Sequence, residues 1–69
     1  MRIKIYMPYD RHPQIPVEIK TMIVNPVNVV SMSDLLHYKG VYYVELSLVD
    51  GGSFLITPDS AEDLEEAIG

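Results

Sequence analysis

Cysteine and tryptophan are both missing from this 69-residue chain. Without cysteine there is no disulfide framework and no thiolate metal site, so a small domain loses two of its usual reinforcements. A chain of this length buries only about 60% of its unfolded surface on folding. Dense packing or association with a partner must supply the rest. Long apolar runs are missing too. The longest candidate, residues 22–32, is interrupted by Asn25, Pro26, Asn28 and Ser31, and a membrane-spanning helix needs roughly 20 apolar residues in succession. The opening MRIKIYMPYD alternates apolar and charged residues and lacks the apolar core of a signal peptide. Cytoplasmic localisation is the resulting expectation.

Positive charge is missing from the second half of the chain. Residues 1–39 carry Arg2, Lys4, Arg11, Lys20 and Lys39 against Asp10, Glu18 and Asp34, a balance of +2. Residues 40–69 carry Glu45, Asp50, Asp59, Glu62, Asp63, Glu65 and Glu66 with no basic residue, a balance of −7. Five of the ten acids lie in the closing TPDSAEDLEEAIG. Such asymmetry marks either an interaction surface or a helix face that keeps a small protein soluble. A mimic of a nucleic-acid backbone is a third reading, for which five carboxylates on one helix are few.

Motifs for catalysis are also missing. There is no Walker loop, no Gly-x-Gly-x-x-Gly and no serine elbow. His12 and His37 fall in separate segments without metal-ligand spacing. Tyr9-Asp10-Arg11-His12 is the one place where acid, base and histidine crowd together. Neighbours in an extended segment point in alternating directions, however, which opposes the convergence a general base requires. A solvated loop is expected there, with Arg11 or His12 pairing with Asp10. No catalytic, metal-binding or cofactor residue is assigned, and a non-enzymatic role is expected.

What the chain does contain is β-pattern. Met1, Ile3, Ile5 and Met7 alternate with Arg2, Lys4 and Tyr6, giving a strand. Pro8, Pro13 and Pro16 predict a stiff loop or edge segment. Residues 17–24 and 27–32 read as strands separated by an Asn25-Pro26 turn, and SDLLHYKG (33–40) as a loop or single helical turn. Residues 41–49 form the clearest strand, with Tyr42, Val44, Leu46 and Leu48 inward and Tyr43, Glu45 and Ser47 outward. Asp50-Gly51-Gly52 predicts a hairpin. A three-residue loop over residues 50–52 sets Leu48 opposite Phe54 and Leu46 opposite Ile56, keeping all four on one face. Pro58 opens a helix capped by Asp59 or Ser60, whose Ala61, Leu64 and Ile68 form the apolar stripe.

The fold expected is a single α+β domain over residues 1–69. Its mainly antiparallel sheet has four or five strands, open or curled like a barrel, and one C-terminal α-helix follows. If Val17 and Ile19 face the core, Met22 and Val24 join Tyr6 and Leu55 on the outward face, which one short helix does not cover. Exposed tyrosine and aliphatic patches favour contacts. The candidate partner-binding residues are therefore Tyr6, Tyr43, Val49 and Leu55, with Glu62, Asp63, Glu65 and Glu66 as a second surface. The expected partner is another protein, with self-association as a dimer. The alternative is a weak nucleic-acid binder using Arg2, Lys4 and Lys20 with Tyr6 as a stacking platform, which the net charge of −5 opposes.

VELSLVDGGSFLITPDSAEDLEEAI, residues 44–68, resembles the C-terminal half of the FlbD/SwrD family of small flagellar-operon proteins. There, strand, polar-glycine turn, strand and acidic-apolar helix follow one another, and VNPVNVVSM (24–32) matches the preceding strand. The same pattern is similar to the first half of LytTR-type DNA-binding domains, whose basic DNA-reading segment has no counterpart here. SDLLHYKG and the proline-rich loop depart from the short flagellar proteins. The resemblance implies a non-enzymatic accessory role; the function expected from the residues is an adaptor, regulator or inhibitor that acts by docking. A phage-encoded or mobile-element protein is equally compatible with it.

Overall fold

Besides a 3-10 turn at Pro26–Asn28, the computed structural model, which describes residues 1–9 and 12–69, forms seven regular elements. They are β1 (Arg2–Tyr9), β2 (Pro13–Ile23), β3 (Val29–Met32), β4 (Leu36–Tyr38), β5 (Val41–Leu48), β6 (Ser53–Ile56) and α1 (Pro58–Ile68). The sheet runs β2-β1-β6-β5-β3, with β4 also pairing to β5, and every pairing is antiparallel. This is the α+β class expected from the sequence. The sheet is open rather than a closed barrel, and it has six strands rather than four or five. Of the prolines expected in a stiff loop or edge segment, Pro8 lies inside β1, and Pro13 and Pro16 lie inside β2, which is an edge strand of the sheet.

The unexpected strand is β4, inside the segment expected to be a loop or a single helical turn. Tyr38 pairs with Val41 across Lys39 and Gly40, whose φ angles of 47° and 84° are both positive. That is the two-residue hairpin whose twist matches the flanking strands. The His37 Nε2 accepts the Gly40 N–H at 3.1 Å and steadies the turn. β3 and β4 are two pieces of one edge. Met32 lies opposite Leu46 and Leu36 opposite Tyr43, so three residues on one side face two on the other, a bulge. Ser33 holds the break: its N–H donates to the Glu45 carbonyl and its Oγ accepts the Glu45 N–H, both at 2.9 Å.

The β5–β6 hairpin keeps the expected loop length but places it one residue earlier. Leu48 N–H donates to the Gly52 carbonyl at 2.9 Å, leaving Val49, Asp50 and Gly51 as the loop, with Gly51 at φ 90°. Leu46 therefore faces Phe54, Val44 faces Ile56 and Ser47 faces Ser53. The offset is two residues across the ladder, an even number, so every side chain stays on its expected face. β2 behaves differently. Ile3 pairs with Met22 and Ile5 with Lys20, so Met22 and Val24 pack on the core while Val17 and Ile19 are exposed. This reverses the expected faces of β2.

Two clusters occupy the two sides of the sheet. Ile3, Ile5, Val24, Val44, Leu46 and Ile56 are buried beneath Ala61 and Leu64 of α1. On the other side Tyr6, Tyr43 and Leu55 are buried, with Leu36, Tyr38 and Val41 packed around them. The helix start differs from the expected caps. Thr57 is the N-cap, accepting the Ser60 N–H at 3.3 Å. Ser60 itself is buried, and its Oγ accepts the Lys4 N–H at 2.8 Å. The Thr57 N–H donates to the Lys4 carbonyl at 3.1 Å. Ser60 thus takes the place of the backbone acceptor that β1 loses where β6 ends.

Candidate partner-docking surface

Three of the four residues expected on an exposed contact face are covered. Tyr6 and Tyr43 are each 7% exposed and Leu55 2%. β6 stops at Ile56, leaving the first parts of β1 and β5 without a strand between them. The Tyr6 hydroxyl spans that gap, donating to the Tyr42 carbonyl at 3.2 Å. Burial, with the Asp59 carboxylate adding to it, pushes the Tyr6 hydroxyl above the ordinary phenol range. His12 stacks on Tyr38 with ring centroids 3.7 Å apart, joining the β1–β2 hairpin to β4. Curling of the sheet thus hides residues that alternation alone placed at the surface. Val49 is exposed, but as a turn residue rather than part of a sheet face.

The basic set expected for a nucleic-acid surface is divided. Arg2 and Lys4 are exposed and share a side with Tyr6. Lys20 sits opposite Ile5, on the helix side of the sheet. Tyr6 is buried and hydrogen-bonded, so no base can stack on it. The cluster around residues 9–12 falls largely outside the description: Asp10 and Arg11 are outside the described residues, as is the Tyr9 side chain. The His12 Nδ1 is buried and makes no hydrogen bond among the described residues. No group of three His, Asp or Glu among those residues is close enough to hold a metal. No helix among them is long and apolar enough to cross a membrane.

All four candidate acids of α1 are exposed, and the helix divides them. Glu62 and Glu65, three apart and so on one face, border a groove of about 630 Å³ between α1 and the β3–β4 break. Asp63 and Glu66 do not border it. Met32, Val44 and Ala61 contribute apolar lining, and Asp34 and Leu35 form the opposite wall. Leu35 is 57% exposed. Three carboxylates thus surround an apolar floor. Sequence reasoning missed Asp34 and Leu35 because they sit in the bulge, which no periodic pattern announces. Tyr38-Lys39-Gly40-Val41 was the readable signal nearby, since a Lys-Gly pair between two apolar residues suits a two-residue hairpin.

Compared with known proteins, the chain is matched by no family model, no curated protein and no solved structure.

Proposed function

We propose that this chain is a non-enzymatic interaction module that docks a partner protein in the groove between α1 and the β3–β4 break. The observation that carries this reading is the combination in one groove of an apolar floor with an acidic rim of Asp34, Glu62 and Glu65. A basic segment with one or two apolar side chains has the matching chemistry. Its aliphatic groups would displace water from Met32, Val44 and Leu35, and its lysines or arginines would meet the rim. Apolar burial contributes affinity in such contacts, while rim charges mainly set orientation and association rate. A non-enzymatic accessory role is what the resemblance to flagellar-operon proteins implies, and a docking adaptor, regulator or inhibitor fits that role.

The test is a photo-crosslinker placed at Leu35, followed by reconstitution of the captured pair from purified components. Glu65→Lys and Leu35→Asp are expected to weaken the pair about tenfold or more each, with affinity falling as salt rises. A reconstituted pair indifferent to both substitutions would overturn the proposal.

A further inference from the structure

A second surface lies at the far edge of the sheet, on β2. This strand is 11 residues long and terminal in the strand order. An unpaired strand edge invites another strand, and natural proteins usually blunt such edges with brevity, bulges or proline. From Glu18 to Ile23 this one has neither a proline nor an interruption in its register with β1; the register shift lies before Glu18, toward Pro13.

The direction of its free backbone groups follows from the hydrogen bonds at its end. The Val24 N–H donates to the Met1 carbonyl at 2.8 Å, and the Met1 amino group donates to the Val24 carbonyl at 3.0 Å. Residues 1 and 24 are thus a hydrogen-bonded pair. Such pairs alternate along an antiparallel ladder, so Met22 and Lys20 direct their peptide groups toward β1. Val17, Ile19, Thr21 and Ile23 direct theirs outward. The same four carry exposed side chains on one face, with Ile19 50% and Ile23 74% exposed. Glu18 and Lys20 lie on the opposite face, both exposed.

We propose that two copies of this chain pair antiparallel through β2, on a two-fold axis at Ile19. A two-fold axis through strand pairing sets a residue against itself, which leaves few registers. Centring on Glu18 or on Lys20 places like charges face to face, which destabilises the pair. Centring on Val17 sets Glu18 against the partner's Pro16, and centring on Thr21 sets Lys20 against the partner's Met22. Only the Ile19 register pairs Glu18 with the partner's Lys20, and symmetry makes that contact twice. On the other face Ile19 meets the partner's Ile19, and Val17 meets the partner's Thr21 on each side. The outward N–H and C=O groups of these residues meet in register. The strand is complementary in charge and shape to itself, and that identifies the occupant as a second copy.

This proposal does not depend on the groove, and the measurements separate the two. Sedimentation equilibrium of the intact chain is expected to show a monomer–dimer equilibrium. Glu18→Lys or Lys20→Glu alone should raise the dimer dissociation constant about tenfold or more, since two cross-strand attractions become two repulsions. The double exchange, Glu18→Lys with Lys20→Glu, should restore it. Ile19→Cys should form a covalent dimer on mild oxidation, because a hydrogen-bonded pair holds its Cα atoms about 5.5 Å apart, within disulfide reach. The chain has no other cysteine to confuse the result. Circular dichroism of each variant confirms that the monomer folds, and Leu35→Asp should leave the dimer constant unchanged. A strictly monomeric chain up to millimolar concentration overturns the proposal. So does a dimer that ignores the single reversals, or one that the double exchange fails to restore.

Discussion

The two sides of the sheet solve the same burial problem with different materials. Under α1 the buried residues are aliphatic, Ile3, Ile5, Val44, Leu46 and Ile56, and the cover is a separate element carrying Ala61 and Leu64. On the opposite side the buried residues are two tyrosines and a leucine, and the cover is the sheet's own curl. An aliphatic surface needs a lid because nothing in it bonds to its surroundings. A tyrosine can cross a gap between strands, filling space with its ring and satisfying a carbonyl with its hydroxyl. The short helix therefore covers one side only, and the chain remains small.

Removing the lid's anchor is the largest test of this contrast. Leu64 is fully buried, and Leu64→Ala should cost about 2–5 kcal/mol. That approaches the whole stability of a domain this size, so thermal melting followed by circular dichroism should show a chain largely unfolded at 37 °C. On the other side, Leu55→Ala removes an equally buried side chain. Its neighbours Leu36, Tyr38 and Val41 are only partly buried and can settle inward, so a smaller loss of about 2–3 kcal/mol is expected. Equal losses from the two substitutions would erase the distinction between a rigid lid and a yielding curl.

Smaller still is Tyr6→Phe, which leaves the ring and removes the bond to Tyr42. About 1 kcal/mol should be lost, measurable by urea titration. The same residue gives the tyrosine side a pH dependence that the aliphatic side lacks. Burial first, and Asp59 second, raise the Tyr6 pKa in the folded state, so the unfolded chain gives up this proton at lower pH. The stabilising difference is complete below the ordinary tyrosine value of about 10 and is lost as pH rises through the folded-state value. Unfolding followed between pH 8 and 11 should show stability falling at the alkaline end. Tyr6→Phe should flatten that fall.

Alternation was enough to read the faces of β1, β5 and β6 from the sequence, because a period of two survives a register error of two residues. The central strand, the hairpin and the closing helix were legible for that reason. The face of β2 was not. Its apolar residues, Val17, Ile19 and Ile23 on one side and Met22 and Val24 on the other, offer two stripes of similar hydrophobicity. The choice was made by pairing of residue 24 with residue 1, a contact between distant positions. β4 was missed because three residues are too few for periodicity, although Lys39-Gly40 marked its turn. At the surface, Glu62 and Glu65 were legible as exposed acids, but Asp34 and Leu35 became neighbours of the helix only through the bulge. The burial of Tyr6 and Tyr43 depends on where β6 stops, and β6 stops because Pro58 begins a helix.

Ser60 gives this architecture a built-in reporter. Its hydroxyl receives the Lys4 amide proton, so a β-strand amide is protected from solvent by a helical side chain. If α1 swings away while the strands stay paired, that one proton becomes free to exchange. The amides of Ile3 and Ile5, directed toward β2, do not. The ratio of exchange rates at residue 4 and its neighbours then measures how often the lid opens, without a label and without unfolding the sheet.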